Sequence, residues 1–529
     1  MSPTPNGGRH RPAALVAAGI LLSRIIGLVR ERVFGYYFGV TAEADAFRAA
    51  FRIPNLLQNL FGEGVLSASF IPVYASLAAH DEHEEASRVA GAVFSILALV
   101  VSVLVLAGVL AAPWLVDLIA AGFPADKREL TVTLVRVLFP GAGLLVLSAW
   151  CLGVLNSHHR FFLSYASPVV WNAAMIAALV VFGRRSTLAS LAVWLAWGSV
   201  VGSALQVLVQ VPTVLRVVGR IRLSLTSRSA HVRDVIRNFG PVFIGRGVVQ
   251  ISAYVDAWIA SFLISGSVAA LTYAQTLAVL PVSLFGMSVS ASELPAMSSL
   301  RGDDATVATA MRARLEAGLR RIAFWIIPSA VAFLAIGDVV AGVVYQNGRF
   351  DRSTAVWVWL ILVGSAVGLL PTTLARLYSS SLYAMRDTRT PFRYAVVRVS
   401  LTLVLGYTFA LPLRVALGLP PRWGAAAITS ASSIAAWVEF TLLRRAVGRR
   451  VGRTPIPPNR LAALWGAALL GAAAAWAVRL ALPFSGPLTA GVIMIGVYGA
   501  VYFLVAAAFG VDDAAALARR LKLWPRGPA

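Results

Sequence analysis

About fourteen stretches of this sequence run for about twenty or more predominantly apolar residues, and that length in helical form crosses the ~30 Å hydrocarbon core of a bilayer. They fall approximately at 13–39, 46–78, 89–119, 130–155, 161–183, 187–215, 238–264, 267–299, 322–345, 354–384, 391–413, 423–443, 461–482 and 487–509. Lipid offers no water to backbone N–H and C=O groups, so repeated apolar spans of this length restrict the chain to membrane helices. The expected fold class is an all-α polytopic membrane protein with about fourteen transmembrane helices. Several stretches exceed what a span needs, which allows tilt or extension into the cytoplasm. The second, containing "FRIPNLLQNLFGEG", reads as more broken than a lipid-facing helix. The first carries arginines in its middle and is too long for a cleavable signal, so it is expected to direct insertion itself.

Charge sets the orientation. Only 13% of the 529 residues are charged and 58% are hydrophobic, with a mean hydropathy of +0.77, unlike a soluble domain. The formal net charge of +23 would point to nucleic acid in a soluble chain. Here the arginines gather in alternate connections, where they fix topology, and no nucleic-acid partner is expected. The connections 216–237, 301–321, 386–393 and 444–460, with the others on their side and both termini, hold about 28 Lys and Arg, against about 8 in the opposite loops. Both termini are therefore expected in the cytoplasm. The acidic "HDEHEEASR" (80–88) is expected to be a solvated turn on that side, and the tail "DDAAALARRLKLW" (512–524) a short amphipathic helix at the interface. Cys151 is the single cysteine, and the six histidines show no metal-ligand spacing, so no intrachain disulfide, metal or cofactor is expected.

An internal echo divides the chain. "SASFIPVYASL" (67–77) and "SASELPAMSSL" (290–300) share six of eleven positions, and each closes a pair of spans whose first member carries an arginine, Arg24 or Arg246. A shift of six spans preserves orientation, so the halves read as parallel repeats about an axis along the membrane normal. The expected organisation is an N-terminal lobe at 1–217, a C-terminal lobe at 218–450, and a further pair of helices with the tail at 451–529.

Ionisable groups inside the spans carry the functional signal. The segment "SRIIGLVRERVFG" (23–35) places Arg24 and Arg30 within an apolar run, at a cost of roughly 2.5–3.5 kcal/mol each at a helix centre. On a helix Glu31 falls about 20° from the meridian of Arg24, whereas Arg30 points about 120° away, and Arg24 lies roughly 16 Å along the helix, near the midplane. Further charges within spans are Arg48, Arg52, Glu63, Arg136, Arg246, Asp256, Glu293, Arg376, Arg398 and Glu439. Cations exceed carboxylates. Arg48, Arg136 and Arg398 are expected in ion pairs or at an interface, while Arg24 and Arg52 are expected to face water. A hydrated, arginine-lined central cavity favours an anion, and the planar guanidinium suits phosphate. No nucleophile–base constellation or phosphate-cradling loop suggests an enzyme.

These segments resemble a known family. "SRIIGLVRERVFGYYFG" followed by "DAFRAAFRIPNLLQNLFGEGVLSASFIPVYASL" is similar to the opening of the MurJ/MviN lipid II flippases. "NSHHRFFLSYASPVVWN" (156–172), "YQNGRFD" (345–351) and "YAMRDTRTPFR" (383–393) follow in the family's order. The resemblance implies a fourteen-helix member of the multidrug/oligosaccharidyl-lipid/polysaccharide exporter superfamily, with two six-helix lobes and two extra helices that shape a groove for a lipid tail. It implies movement of undecaprenyl-pyrophosphate-linked peptidoglycan precursor (lipid II) between leaflets of the bacterial cytoplasmic membrane by alternating access. Membrane lipids and cell-wall synthesis proteins are the implied partners. Arg24, Arg30 and Glu31 match first-helix positions of the family, Asp45, Asn55 and Glu63 match the second-helix motif, and Arg52 stands at a usually basic position. Gln58 replaces a frequent arginine, and Gln275–Thr276 replace an acid–arginine pair in the eighth helix; Arg246 is expected to supply a compensating charge. The competing expectations are an exporter of another polyprenyl-linked glycan or of a drug, and a non-transporting cell-wall scaffold. Membrane potential, Na⁺ and H⁺ are each compatible with the sequence as driving force.

Overall fold

The computed structural model describes residues 10–80, 82–219, 224, 229–482 and 486–514, and gives side chains for these except 10–18, 20, 63, 64, 68 and 240–253. Every extended regular element among the described residues is a helix. Contacts group the chain into two compact units, residues 1–266 with 347–349, and residues 267–346 with 350–529. The first holds α1 (His10–Phe38), α2 (Ala42–Phe61), α3 (Glu63–Ser69), α4 (Ile71–Ala79), α5 (His83–Leu110), α6 (Ala112–Ile119), α7 (Ala125–Ser157), α8 (Phe161–Ala166), α9 (Pro168–Phe182), α10 (Leu188–Val218) and α11 (Ala230–Ser261). The second holds α12 (Ser267–Pro281), α13 (Ser288–Ser298), α14 (Asp304–Tyr345), α15 (Arg352–Ala384), α16 (Arg389–Thr408), α17 (Arg414–Ala416), α18 (Trp423–Val451), α19 (Pro458–Ala481) and α20 (Pro487–Ala508).

Among the described residues twelve segments are long and apolar enough to cross a membrane, against the expected fourteen or so. The first and seventh expected stretches fall on α1 and α11, some of whose side chains lie outside the described set. This is a multi-pass membrane protein. Its exposed surface fits lipid: Leu99, Val103, Leu106 and Leu110 on α5 are all exposed, a face that water would disfavour and acyl chains accept. The proposed interfacial helix at 512–524 lies almost wholly outside the described residues.

The second expected span is broken, as its sequence suggests. α2 stops at Gly62, whose N–H still donates to Gln58 O at 2.7 Å, and α3 and α4 continue to Ala79. The eighth is interrupted at the corresponding place: the offset that aligns the two "SAS" motifs carries Gly62 into the π-helical turn Val282–Met287 between α12 and α13. Pro281 precedes that turn and withholds an N–H from the ladder.

α14 shows how a bent helix survives in lipid. Pro328 cannot donate to the carbonyl of Phe324, and the hydroxyl of Tyr502 on α20 donates to that oxygen at 2.6 Å. Ile336 departs from helical geometry (φ −131°, ψ 23°). Around this second break Trp359 Nε1 donates to Phe333 O at 3.0 Å and Trp476 Nε1 to Ala335 O at 2.9 Å. Aromatic donors from α15, α19 and α20 thus satisfy carbonyls that the kinks release. Elsewhere in the unit Gly364 and Gly368 on α15 lie four apart against α18, where Ser433 Oγ donates to Gly364 O at 2.6 Å and Thr429 Oγ1 to Ile361 O at 2.9 Å. A Cβ on Gly368 would run into Ser433.

Two of the turns quoted above have local causes. In "YAMRDTRTPFR" the Asp387 carboxylate accepts from Thr390 N at 3.0 Å and Thr390 Oγ1 at 2.7 Å and pairs with Arg450, which together hold its pKa down at about 2. In "YQNGRFD" Gly348 takes the left-handed conformation (φ +56°), Arg349 N donates to Tyr36 O at 2.9 Å, and Asp351 caps α15 through Thr354 N at 2.8 Å.

Two substitutions separate these contributions. Tyr502→Phe is expected to cost about 1 kcal/mol, the scale of one interhelical hydrogen bond in a membrane. Gly368→Leu, which must push α15 off α18, is expected to cost several times more. Melting of the detergent-solubilised protein, followed by loss of monodisperse material on size exclusion, ranks the two.

Candidate functional site

One buried carboxylate organises the first unit. Glu31 on α1 is 5% exposed, and Arg48 on α2, 9% exposed, reaches it with both terminal guanidinium nitrogens, Nη1 at 3.2 Å from Oε1 and Nη2 at 2.5 Å from Oε2. Arg30 Nη2 donates to the same Oε1 at 2.7 Å. Such a forked pair is the strong form of a charged hydrogen bond, and only pairing makes burial of these ions tolerable. The aromatic surroundings help: Arg48 lies over the Phe34 ring at 4.1 Å and Arg30 over Trp171 on α9 at 5.0 Å. Two guanidiniums share one carboxylate, so the cluster carries a net charge of about +1 within apolar helices. The hollow beside it is about 10 Å³, room for one water at most.

The other expected residues are arranged around this cluster unevenly. Arg24 is exposed, beside exposed Leu21 and Ile25, and makes no hydrogen bond or ion pair among the described residues. Arg52, one helical turn beyond Arg48, is half-buried; its carbonyl accepts from Tyr254 Oη at 3.0 Å, and its charge is attracted by Asp256 and repelled by Arg48. Asn55 follows on the next turn, half-buried. Asp45 belongs to a different construction. At 1% exposure it accepts from Lys127 Nζ of α7 at 2.6 Å and from Gly266 N at 2.7 Å, which pins the start of α2 to α7 and to the connection after α11. The side chains of Glu63 and Arg246 lie outside the described residues.

In the second unit Arg398 pairs with Glu439 at 3.1 Å, and Arg376 adds a positive charge that both of them feel. Arg48 and Arg398 are thus ion-paired, whereas Arg136 is exposed. Thr276 turns its hydroxyl back to Thr272 O at 2.9 Å and presents no charge. Sequence reasoning passed over Asp338 and Arg479, which pair at 2.9 Å near the ends of α14 and α19. The signal was present in a lone aspartate after Gly337 and a lone arginine in "WAVRLALP", each inside an expected span. Among the described residues no group of three or more His, Cys, Asp or Glu side chains converges to hold a metal.

The family model described as lipid II flippase MurJ matches residues 34–482. The chain belongs to the MurJ family. Among its relatives, the lipid II flippase MurJ of Burkholderia cenocepacia is 31% identical over 84% of this chain and 85% of its own length. The probable lipid II flippase MurJ of Rhizobium tropici is 31% identical over 97% of both. Solved structures share the fold. A lipid II flippase MurJ in an inward closed conformation superposes with a TM-score of 0.76 at 23% identity, over 94% of this chain and 99% of that one. An inward-facing multidrug resistance MATE family transporter of the MOP superfamily gives 0.63 at 17% identity, over 83% and 98%. Within this MurJ-family chain Arg48 lies inside the matched region and Glu31 three residues before it.

The coupling within that cluster is measurable. Glu31→Gln is expected to destabilise by about 3 kcal/mol, because it takes the carboxylate from two arginines at once, and Arg48→Met by less, because Arg30 still pairs with Glu31. The double variant is expected to lose clearly less than the sum. A double-mutant cycle on unfolding in mixed bicelles reads the difference, and strict additivity would show that the two side chains act independently.

Proposed function

We propose that this chain is a lipid II flippase that moves the undecaprenyl-pyrophosphate-linked precursor from the inner to the outer leaflet of the bacterial cytoplasmic membrane. The observation that carries the reading is the family match across residues 34–482, joined by relatives of that name alike over nearly the whole chain. The chemistry of the first unit agrees. A diphosphate needs planar, permanently charged donors, and the unit holds Arg24 without an ion partner among the described residues and a cluster at Glu31 with cationic excess. In this reading Arg24, Arg30 and Arg52 attract the pyrophosphate, while Glu31 fixes the direction of Arg30 and Arg48. Asn55, Glu63 and Arg246 complete the proposed set. Asp45, engaged by Lys127 and Gly266, acts by positioning α2.

Transport of an intact lipid by alternating access makes and breaks no covalent bond, so we read the chain as a transporter and not an enzyme. Both termini lie in the cytoplasm in this proposal, as the arginine-rich connections direct. An empty site with positive charge is drawn back by an inward-negative potential at about 2.3 kcal/mol per charge per 100 mV.

The test is a leaflet-accessibility assay for lipid II in cells where this protein is the sole flippase. The parent chain is expected to restore outer-leaflet lipid II and growth. Arg24→Ala, Arg52→Ala and Arg246→Ala are expected to abolish both while remaining folded and inserted. Growth of the first two variants like the parent would favour a non-transporting scaffold. Failure of the parent itself would favour an exporter of a different polyprenyl-linked glycan or a drug.

A further inference from the structure

The second unit contains a cavity of about 560 Å³ that the proposed transport step does not use. It opens at the end of the unit formed by the close of α14, the start of α15, the close of α19 and the start of α20. Its size is that of a small-molecule site, roughly 300–1,000 Å³. Three charged side chains line it. Asp338, 6% exposed, sits just beyond the kink at Ile336 and is gripped by Arg479 with contacts of 2.9 and 3.3 Å. Arg352, the first residue of α15, stands 3.8 Å from the same carboxylate, with 68% of its side chain exposed and no hydrogen bond among the described residues. Gln346 adds a neutral amide to the lining. The charges sum to about +1, set where helices end and connections begin, the level of lipid headgroups. Leu482 belongs to the lining and is 47% exposed, and Leu480 and Leu488, each next in sequence to a lining residue, are 83% and 55% exposed.

We propose that this cavity holds the phosphate of one phospholipid headgroup, bound by the guanidiniums of Arg352 and Arg479, with its acyl chains along the leucines. Asp338 orients Arg479 and trims the local charge to match a phosphodiester monoanion. A diphosphate would leave about one negative charge uncompensated here, so the ligand is a resident lipid and differs from the transported precursor. The kink in α14 that exposes Ala335 O to Trp476 also turns Asp338 towards α19, which makes the site a product of the bend.

The experiment is native mass spectrometry of the full chain released from phosphatidylglycerol nanodiscs. The parent is expected to retain one tightly held lipid. Arg352→Gln, at an exposed helix start, is expected to lower that retention about tenfold, the effect of losing one charged hydrogen bond. The double variant Asp338→Asn/Arg479→Gln, which leaves only the exposed Arg352 without a partner and no buried ion unpaired, is expected to lose the lipid with the parent's melting temperature. Inorganic phosphate in excess is expected to leave the lipid in place, because it lacks the acyl contacts. Equal retention by the parent and both variants, or release of the lipid by inorganic phosphate, would overturn the proposal.

Discussion

Burying a carboxylate in a helical membrane bundle forces everything near it into place, and Glu31 does this for the first unit. Its two oxygens are taken by Arg48 from α2 and Arg30 from α1 itself, and the arginines in turn rest on Phe34 and Trp171. An ion pair of this kind is poor at raising stability relative to an apolar core of the same shape. What it provides is register: α1, α2 and α9 can meet in one arrangement only if three charges find each other. In the proposed function the excess positive charge attracts an anion while Glu31 fixes the aim of its arginines. Structure and proposed chemistry thus draw on one cluster.

The second unit solves a related problem without charge. Its helices carry Pro281, Pro328, Pro371 and Pro412 and the irregular Ile336, and each proline leaves a carbonyl one turn back without its helical donor in a region without water. Tyr502, Trp359 and Trp476 supply the missing donors on α14 from neighbouring helices. These contacts also explain why α19 and α20, which fall outside the sequence repeat, are bound to α14: their aromatic tips complete its backbone. Small residues at Gly364 and Gly368 bring α15 and α18 close enough for serine and threonine hydroxyls to do the same work.

Much of this was legible from residue order. The apolar stretches located the helices because a span's length is set by bilayer thickness, and "FRIPNLLQNLFGEG" announced a break that occurs at Gly62. Periodicity put Glu31 near the meridian of Arg24, but it could not reveal that Arg48, seventeen positions on, closes over Glu31; that pairing depends on how α1 and α2 cross. Residue order likewise could not show that Asp45 accepts from Lys127 and Gly266 N, which lie 82 and 221 positions away. Asp338 and Arg479 are separated by 141 positions, a distance over which no sequence rule couples two lone charges. The loop expected at 301–321 is largely helical, since its Ala- and Arg-rich composition extends α14 from Asp304.

That extension changes how α14 is held. Its 42 residues would measure about 63 Å if straight, twice the thickness of the hydrocarbon core, and the break at Ile336 divides them into two segments. The added turns are no free arm: Met311, Leu315 and Leu319 are buried among neighbouring helices, so both segments are fastened along their length and the joint at Ile336 lies between two anchored parts.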